Sequence, residues 1–409
     1  MRRAAIVVRT ANRPDILNRC LAAAVDGCDL ARGAHWLLLD DSSPDNSEAT
    51  REIARFWKQF GLRLAYVDKT VEAEIAGSLP GATLRGFFTR LTARSPSCRT
   101  EGGRNFGLIA GLSLNPDVLF FVDDDMIHRH EGNCFFHWCA NNSRSDSFIA
   151  APRKQGISDM SYLNRLNNLL NRDDWARFFS DAGISSDPDL WYSPKNPFWK
   201  NGDGATDRAS LTLSEREVVS GQFIALRNRG ADWLPFPEEY NSDLNWSLMQ
   251  SYCLGTALLK VGGVNVKHLP PGLGCPQAES VLSEFIGTAI ARALREIKPR
   301  GEQAMNMLAE RLPEVLGVEL KRELFLFLNV ERAILCRAQT CDGVDTRRTL
   351  ATVQDTLAEV GKRLDTIDSR QLARDWLNDF AARKKMSQEL RRHEAVQTQV
   401  RRALFGTGV

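Results

Sequence analysis

The chain has 409 residues, more than one ordinary hydrophobic core accommodates, so two or three structural units are expected. With 43% hydrophobic and 25% charged residues it is excluded from the disordered class. A formal net charge of +2 is close to balance and gives no reason to expect nucleic acid or a membrane surface as the main partner.

Ala4–Val8 is a compact run rich in β-branched residues, followed by the loop Thr10-Ala11-Asn12-Arg13-Pro14 and an amphipathic stretch, Ile16–Val25. His35–Leu39 is a second apolar run and stops sharply at Asp40-Asp41-Ser42-Ser43-Pro44. Ser47–Gly61 has helical character, Leu62–Val67 reads as a third strand, and Val118–Val122 as another that ends at Asp123-Asp124-Asp125. Short, continuous apolar runs with helices between them are the signature of buried parallel strands, so an open α/β sheet is expected. In such sheets ligands sit beyond the carboxyl ends of the strands, where all of these polar clusters lie.

From 145 to 216 the periodicity weakens and Pro, Asn, Asp, Gly and Trp accumulate. This stretch is expected to be an irregular insertion, with helix only within Asp159–Ala182. From Glu279 onward the pattern is helical. Leu350, Val353, Leu357, Val360, Leu364 and Ile367 alternate steps of three and four. Such a seam serves either an antiparallel hairpin within the chain or a homodimer interface. The basic residues of the last helices, among them Arg383, Arg391 and Arg401, are expected on a solvated face, with an anionic lipid or acidic acceptor as the sharper alternative.

Three adjacent carboxylates at the end of a buried strand repel one another and call for compensating positive charge. Hard oxygen donors suit Mg2+ or Mn2+, and alternation along an extended segment lets Asp123 and Asp125 face one site. A solvated acidic turn or a helix cap is the plainer explanation for any one such cluster, as capping by Ser42, Ser43 or Asp45 is for the second. Gly102-Gly103-Arg104-Asn105-Phe106-Gly107, before the apolar stretch Leu108–Leu114, offers small residues and a cation at a helix start, suited to a sugar or phosphate oxygen.

Four blocks stand in order: Ile6-Val7-Val8-Arg9-Thr10-x-Asn12-Arg13-Pro14, Leu38-Leu39-Asp40-Asp41-Ser42-Ser43, Gly103-Arg104-Asn105-x-Gly107 and Phe121-Val122-Asp123-Asp124-Asp125. Together they resemble the GT-A glycosyltransferases, in particular the large family-2-like group, over about Ala4 to His268. The resemblance implies a GT-A catalytic domain over 1–275, with an acceptor-side insertion at 145–216 and an α-helical domain over 276–409. It also implies transfer of a sugar from a nucleotide-diphosphate donor to an acceptor hydroxyl, dependent on Mn2+ or Mg2+. A uridine donor is favoured over a guanosine one; the acceptor is a carbohydrate, a lipid carrier, a small molecule or a protein.

Carried over residue by residue, Thr10 and Arg13 would line the nucleotide, and Asp40 and Asp41 would meet the base or ribose. Arg104 would lie by the sugar or diphosphate. Asp123, with Asp124 beside it, would reach ribose or metal, and Asp125 would bind the metal. Val219–Arg227 looks like the family's glycine block near the acceptor. Ser242-Asp243 stands where Glu-Asp is common, which makes Asp243 the candidate base for an inverting reaction, with Glu239 and Glu238 as the other carboxylates. His268, after the run Val261–Lys267, would be a further metal ligand; His128 and His130, just past the acidic run, are weaker candidates. One or two of Trp191, Tyr192, Trp199, Trp233, Tyr240 and Trp246 would touch the acceptor.

Two other readings compete. A nucleotidyltransferase would need a glycine-rich basic loop after the first strand, which this sequence lacks; a silent sugar-nucleotide-binding scaffold would have no use for an intact acidic run and Asp243. The nine scattered cysteines form no CxxC pair, so a zinc knuckle has little support, and their odd number speaks against a disulfide framework. No apolar run approaches the roughly 18–20 residues of a membrane span, and the apolar start is too short for a signal peptide. A cytoplasmic protein, at most peripheral to a membrane, is the expectation.

Overall fold

The computed structural model describes residues 3–26, 28–93, 100–128, 134–141, 147–156, 212–215, 223–228, 233–237, 242–268, 278–340 and 344–406, with positions 176 and 180. Among them the strands β1 (Ala4–Thr10), β2 (His35–Asp40), β3 (Arg63–Val67), β4 (Val118–Asp123), β5 (Met126–His128), β6 (Ser147–Gly156), β7 (Thr212–Glu215), β8 (Phe223–Asn228) and β9 (Ala257–His268) form one sheet. Its order is β3-β2-β1-β4-β8-β6-β9-β5, with β7 also on β9. Pairing is parallel from β3 to β4, as the sequence predicts. Beyond β4 the sheet is mixed: β8 is antiparallel to β4 and β6, while β6 and β9 are parallel. No helix among the described residues is long and apolar enough to cross a membrane.

The period of two along β1 sorts its side chains into two cores. Ile6 and Val8 face a core shared with α1 (Pro14–Asp26), α3 (Pro44–Gln59) and α7 (Phe135–Asn141), while Ala5 and Val7 face one shared with α5 (Ala82–Thr92) and α6 (Thr100–Ser113). A strand buried on both faces has no place for polar residues until it leaves the sheet, which is why the polar clusters gather at strand ends. The short α2 (Asp29–Arg32) follows α1, and α4 (Lys69–Ser78) follows β3.

Two parts of the predicted organisation change. Ser147–Gly156, placed at the start of the irregular insertion, is a strand in the middle of the sheet. Its run Phe148-Ile149-Ala150-Ala151 is buried, and four apolar residues suffice for a strand whose neighbours on both sides supply the hydrogen bonds. Of the stretch Asp159–Ala182, predicted to contain helix, only positions 176 and 180 are described, and both are helical. The helix expected from Leu108 is present by Thr100, so the whole Gly102–Gly107 block is helical.

Gly107 and Gly111 let α6 lie close on the sheet. A Cβ at Gly107 would come within 2.7 Å of Val7 Cγ1 and 3.0 Å of Phe121 Cε1, and one at Gly111 within 2.4 Å of Leu119 Cδ1. Val7 is β-branched and packed on a central strand, so it cannot turn aside cheaply. Gly107→Ala is therefore expected to cost about 1–3 kcal/mol, measured as a lower urea midpoint with unchanged slope.

The helices after 276 are α9 (Ala278–Ile297), α10 (Ala304–Thr340), α11 (Val344–Asp365), α12 (Ser369–Arg392) and α13 (Glu394–Phe405). Together with α8 (Ser242–Leu254), which precedes β9, helices α9, α10 and α12 enclose a third core containing Leu248, Met249, Ile290, Leu294, Leu312, Leu316, Trp376 and Phe380. Met386 and Leu390 at the far end of α12, with Val396, Val400 and Leu404 of α13, belong instead to the sheet core that holds Val7 and Phe106. Residues on both sides of 275/276 thus contribute to one core. The seam residues Val353, Leu357, Val360 and Leu364 are buried against the chain's own α9 and α10, the hairpin alternative. Arg383, expected on a solvated face, is buried and paired with Asp379 at 2.5 Å.

Candidate functional site

The loop after β1 is folded by its own sequence. Asn12 takes a left-handed conformation (φ 59°), which asparagine tolerates better than most residues, and Pro14 opens α1 with its fixed φ. Asn12 Oδ1 accepts from the Ser43 amide at 2.7 Å and from the Ser43 hydroxyl at 2.9 Å. The Asn12 amide donates to Ser42 Oγ at 2.8 Å. The loops after β1 and β2 are thereby locked together. Ser43 does stand at the N-cap of α3, but its hydroxyl serves Asn12 and makes no cap hydrogen bond.

Sheet register brings the polar ends side by side: Thr10 is opposite Asp40, and Arg9 is opposite Asp123. Asp40 is buried and fixes its own loop, accepting from the Ser42 amide at 2.9 Å, Ser47 Oγ at 2.9 Å and Tyr66 OH at 2.6 Å. Asp41 lies next to it, its amide donating to the Thr10 carbonyl and its carboxylate 3.1 Å from Lys69 Nζ.

The acidic run carries the strongest electrostatics. Asp124 is fully buried; its carboxylate accepts from Thr10 Oγ1 at 2.6 Å and lies 2.5 Å from an Arg13 amino nitrogen. The other Arg13 nitrogen donates to Asp125 at 3.0 Å, so one guanidinium spans two carboxylates. Asp123 is more open and lies 3.7 Å from Arg9. Burial pushes the Asp124 carboxyl up to about 7, against the opposing pull of Arg13 and Thr10 and with added repulsion from Asp125 and Asp123. Burial lowers the pKa of Arg13, but the three carboxylates outweigh it and hold the guanidinium charged. An acidic run in this condition gains from further positive charge.

Arg104, expected by the sugar or diphosphate, and Asp123, expected by the ribose or metal, line one small cavity with Arg9. The Arg104 guanidinium lies over the Phe236 ring, 5.7 Å from its centroid. Its neighbour Asn105 is buried and grips the Phe236 backbone from both sides: Phe236 N donates to Oδ1 at 2.7 Å, and Nδ2 donates to Phe236 O at 3.1 Å. Leu234 O accepts from Trp246 Nε1 at 2.7 Å and from Gln250 Nε2 at 3.2 Å, and Trp233 O from Arg391 of α12 at 2.5 Å. Residues 233–237 are thus pinned between α6, α8 and α12, upstream of Asp243 in the first turn of α8. Asn105→Ala leaves two buried backbone groups without partners and is expected to cost about 2–4 kcal/mol, read by thermal or urea melting.

Trp233 and Trp246 are fully buried and stack in this packing, Trp246 with Phe236 at 4.3 Å, so neither presents a face to an acceptor. Glu238, Glu239, Trp191, Tyr192, Trp199, Tyr240 and His130 lie outside the described residues. The backbone of His268 ends β9 directly opposite Met126, the residue after Asp125. β9 therefore returns the chain to the acidic run.

No family model and no curated protein matches the chain. The solved structures to which it is similar include glycosyltransferases. One is a mannosyltransferase from Pyrobaculum calidifontis in complex with GDP-mannose and Mn2+, at 12% identity and a TM-score of 0.40, covering 95% of this chain and 86% of that one. Another is glucosyl-3-phosphoglycerate synthase from Mycobacterium tuberculosis in complex with Mn2+, UDP-glucose and phosphoglyceric acid, at 14% identity and a TM-score of 0.36, covering 72% and 79%.

Several residues of the site were invisible to sequence reasoning. Arg9 carried a weak signal, a cation ending an apolar strand. Lys69, Ser47 and Tyr66 carried none, because their partners Asp41 and Asp40 are reached only across the sheet edge.

Proposed function

We propose that this chain is a metal-dependent glycosyltransferase of GT-A architecture, moving a sugar from a nucleoside-diphosphate donor to an acceptor hydroxyl with inversion. The observation that carries the proposal is the convergence at the carboxyl edge of β1, β2 and β4 of Asp123, Asp124 and Asp125 with Arg13 bound to the last two. Anionic and cationic groups held this close suit a ligand that itself combines phosphates with a divalent cation. The donor set is hard oxygen, the chemistry of Mn2+ and Mg2+. The buried Asp124, raised to about 7, fits a site completed by a cation.

Asp123 and Asp125 would hold that ion, with His268 as a further ligand. A divalent ion bound there would neutralise charge on the departing diphosphate. Arg13 is placed to exchange its carboxylate partners for diphosphate oxygens when donor enters, and Thr10 orients the buried carboxylate behind it. Asp41, beside the structurally engaged Asp40, takes the base or ribose. Arg104 and Arg9 flank Asp123 and supply positive charge toward the sugar-diphosphate link. Asp243 takes the acceptor proton as the hydroxyl oxygen attacks the anomeric carbon, and the bonding pair of the C1–O bond leaves with the nucleoside diphosphate. A uridine donor is favoured, with guanosine as the alternative.

The test is nucleoside-diphosphate release from a panel of sugar nucleotides with Mn2+, with and without candidate acceptor saccharides. Release that needs both one donor and the metal supports the reading. No release or transfer from any donor, by folded protein that binds nucleotide, moves the chain to the silent binding class.

A further inference from the structure

The densest cluster of potential ligands outside the acidic run is built of sulfur and nitrogen. Cys28 caps the start of α2 in sequence but makes no cap hydrogen bond with its side chain. Cys134 immediately precedes α7 and His137 lies in its first turn, three residues later. The Sγ atoms of Cys28 and Cys134 and a ring nitrogen of His137 all lie within 4.8 Å of one another. Cys28 is buried, Cys134 half-buried, and His137 exposed. Behind them His128, at the end of β5, is only 4% exposed; its ring meets the Cys134 sulfur and stacks on Phe136, yet neither nitrogen makes a well-formed hydrogen bond. A buried imidazole in that state costs free energy unless a ligand uses it.

We propose that Cys28, Cys134 and His137, with His128 behind the Cys134 sulfur, form a structural site for a thiophilic divalent cation, of which Zn2+ fits best. A tetrahedral zinc with about 2.3 Å bonds to sulfur and about 2.0 Å to nitrogen sets its ligands roughly 3.5–3.8 Å apart. A cluster already within 4.8 Å reaches that by a small turn of the exposed His137. Two thiolates and imidazole select a different metal from the all-oxygen donors of Asp123–Asp125. The cation would tie the α1–α2 turn to α7, whose neighbouring Cys134 sulfur meets His128 of β5, the strand that directly follows the acidic run. A disulfide between Cys28 and Cys134 would leave both imidazoles unexplained.

The experiment equilibrates the reduced full-length chain with Zn2+, removes excess metal, and measures retained zinc by mass spectrometry. One tightly held zinc per chain is expected. Cys134→Ser and His137→Ala, the latter at an exposed position and so expected to fold, should each lower zinc affinity about tenfold or more. Asp125→Ala and Cys253→Ser should keep it. Replacement by Co2+ should give a thiolate-to-metal charge-transfer band that Cys134→Ser abolishes. The proposal is overturned by a folded, reduced chain that retains no zinc, by zinc that survives both ligand variants, or by a Co2+ complex without thiolate absorption. None of these readouts involves sugar transfer, so the site stands or falls apart from the proposed activity.

Discussion

Asp125→Ala is expected to lower metal-supported sugar transfer by about 100- to 1000-fold and to remove the metal dependence of donor binding. The side chain accepts only one of Arg13's two contacts, and the guanidinium keeps Asp124 at 2.5 Å when Asp125 is gone. The fold should therefore persist, with the metal-free melting temperature changed by only a few degrees. Calorimetric titration of donor with and without Mn2+ separates the two effects. Unchanged metal-dependent affinity in the folded variant would remove Asp125 from the proposed ligand set and leave Asp123 and Asp124 to be tested in the same way.

Asp243→Asn should act on chemistry instead. An amide of the same shape keeps the first turn of α8 but cannot take a proton, and loss of a general base costs about 100- to 10,000-fold. Donor affinity and its metal dependence should stay as in the parent, so kcat falls while donor binding does not. Full activity would move the proton-accepting role to Glu239 or Glu238. The position of Asp243 makes this a clean comparison, because the segment before it is braced by groups that the substitution does not touch: Asn105 on Phe236, Trp246 and Gln250 on Leu234, and Arg391 on Trp233.

That bracing gives the helical C-terminal region a physical part in the site. Arg391 belongs to α12, whose first half packs in the helical core and whose last turns pack beneath the sheet. Amphipathic periodicity in the sequence shows that one face of such a helix is buried. It does not say what covers it, so the sharing of one core by Met386, Leu404 and Val7 was not legible there. The same limit applies to aromatics: Trp233 and Trp246 were candidates for sugar stacking, and the structure uses them to build the platform under Phe236.

What the sequence did reveal was local. Each of β1, β2 and β4 is an apolar run ended by polar residues, and parallel pairing alone is enough to bring those ends together. The parallel half of the sheet and the cluster of Thr10, Asp40 and Asp123 follow from that. Contacts made across long stretches of chain were not legible. Asn105 reads as part of a glycine-rich phosphate cradle, yet it clamps a backbone 131 residues away. Cys28 and Cys134 have no spacing signature, because the crossover connections of an α/β sheet bring them together rather than a short motif. β6 hid in a stretch whose composition otherwise suggested loop, and only its buried Phe148–Ala151 run distinguishes it.

The central claim is that the edge of β1, β2 and β4 binds a nucleoside diphosphate together with a divalent cation. It is tested most directly by melting the purified chain with uridine and guanosine diphosphates and their sugar conjugates, each with and without Mn2+. A ligand at about a hundred times its dissociation constant should stabilise the fold by about 2.7 kcal/mol, a shift of a few degrees. The account predicts that shift for one nucleotide class, only when metal is present, and its loss in Asp125→Ala. A well-folded chain that shifts with none of them, or equally with and without metal, would contradict it.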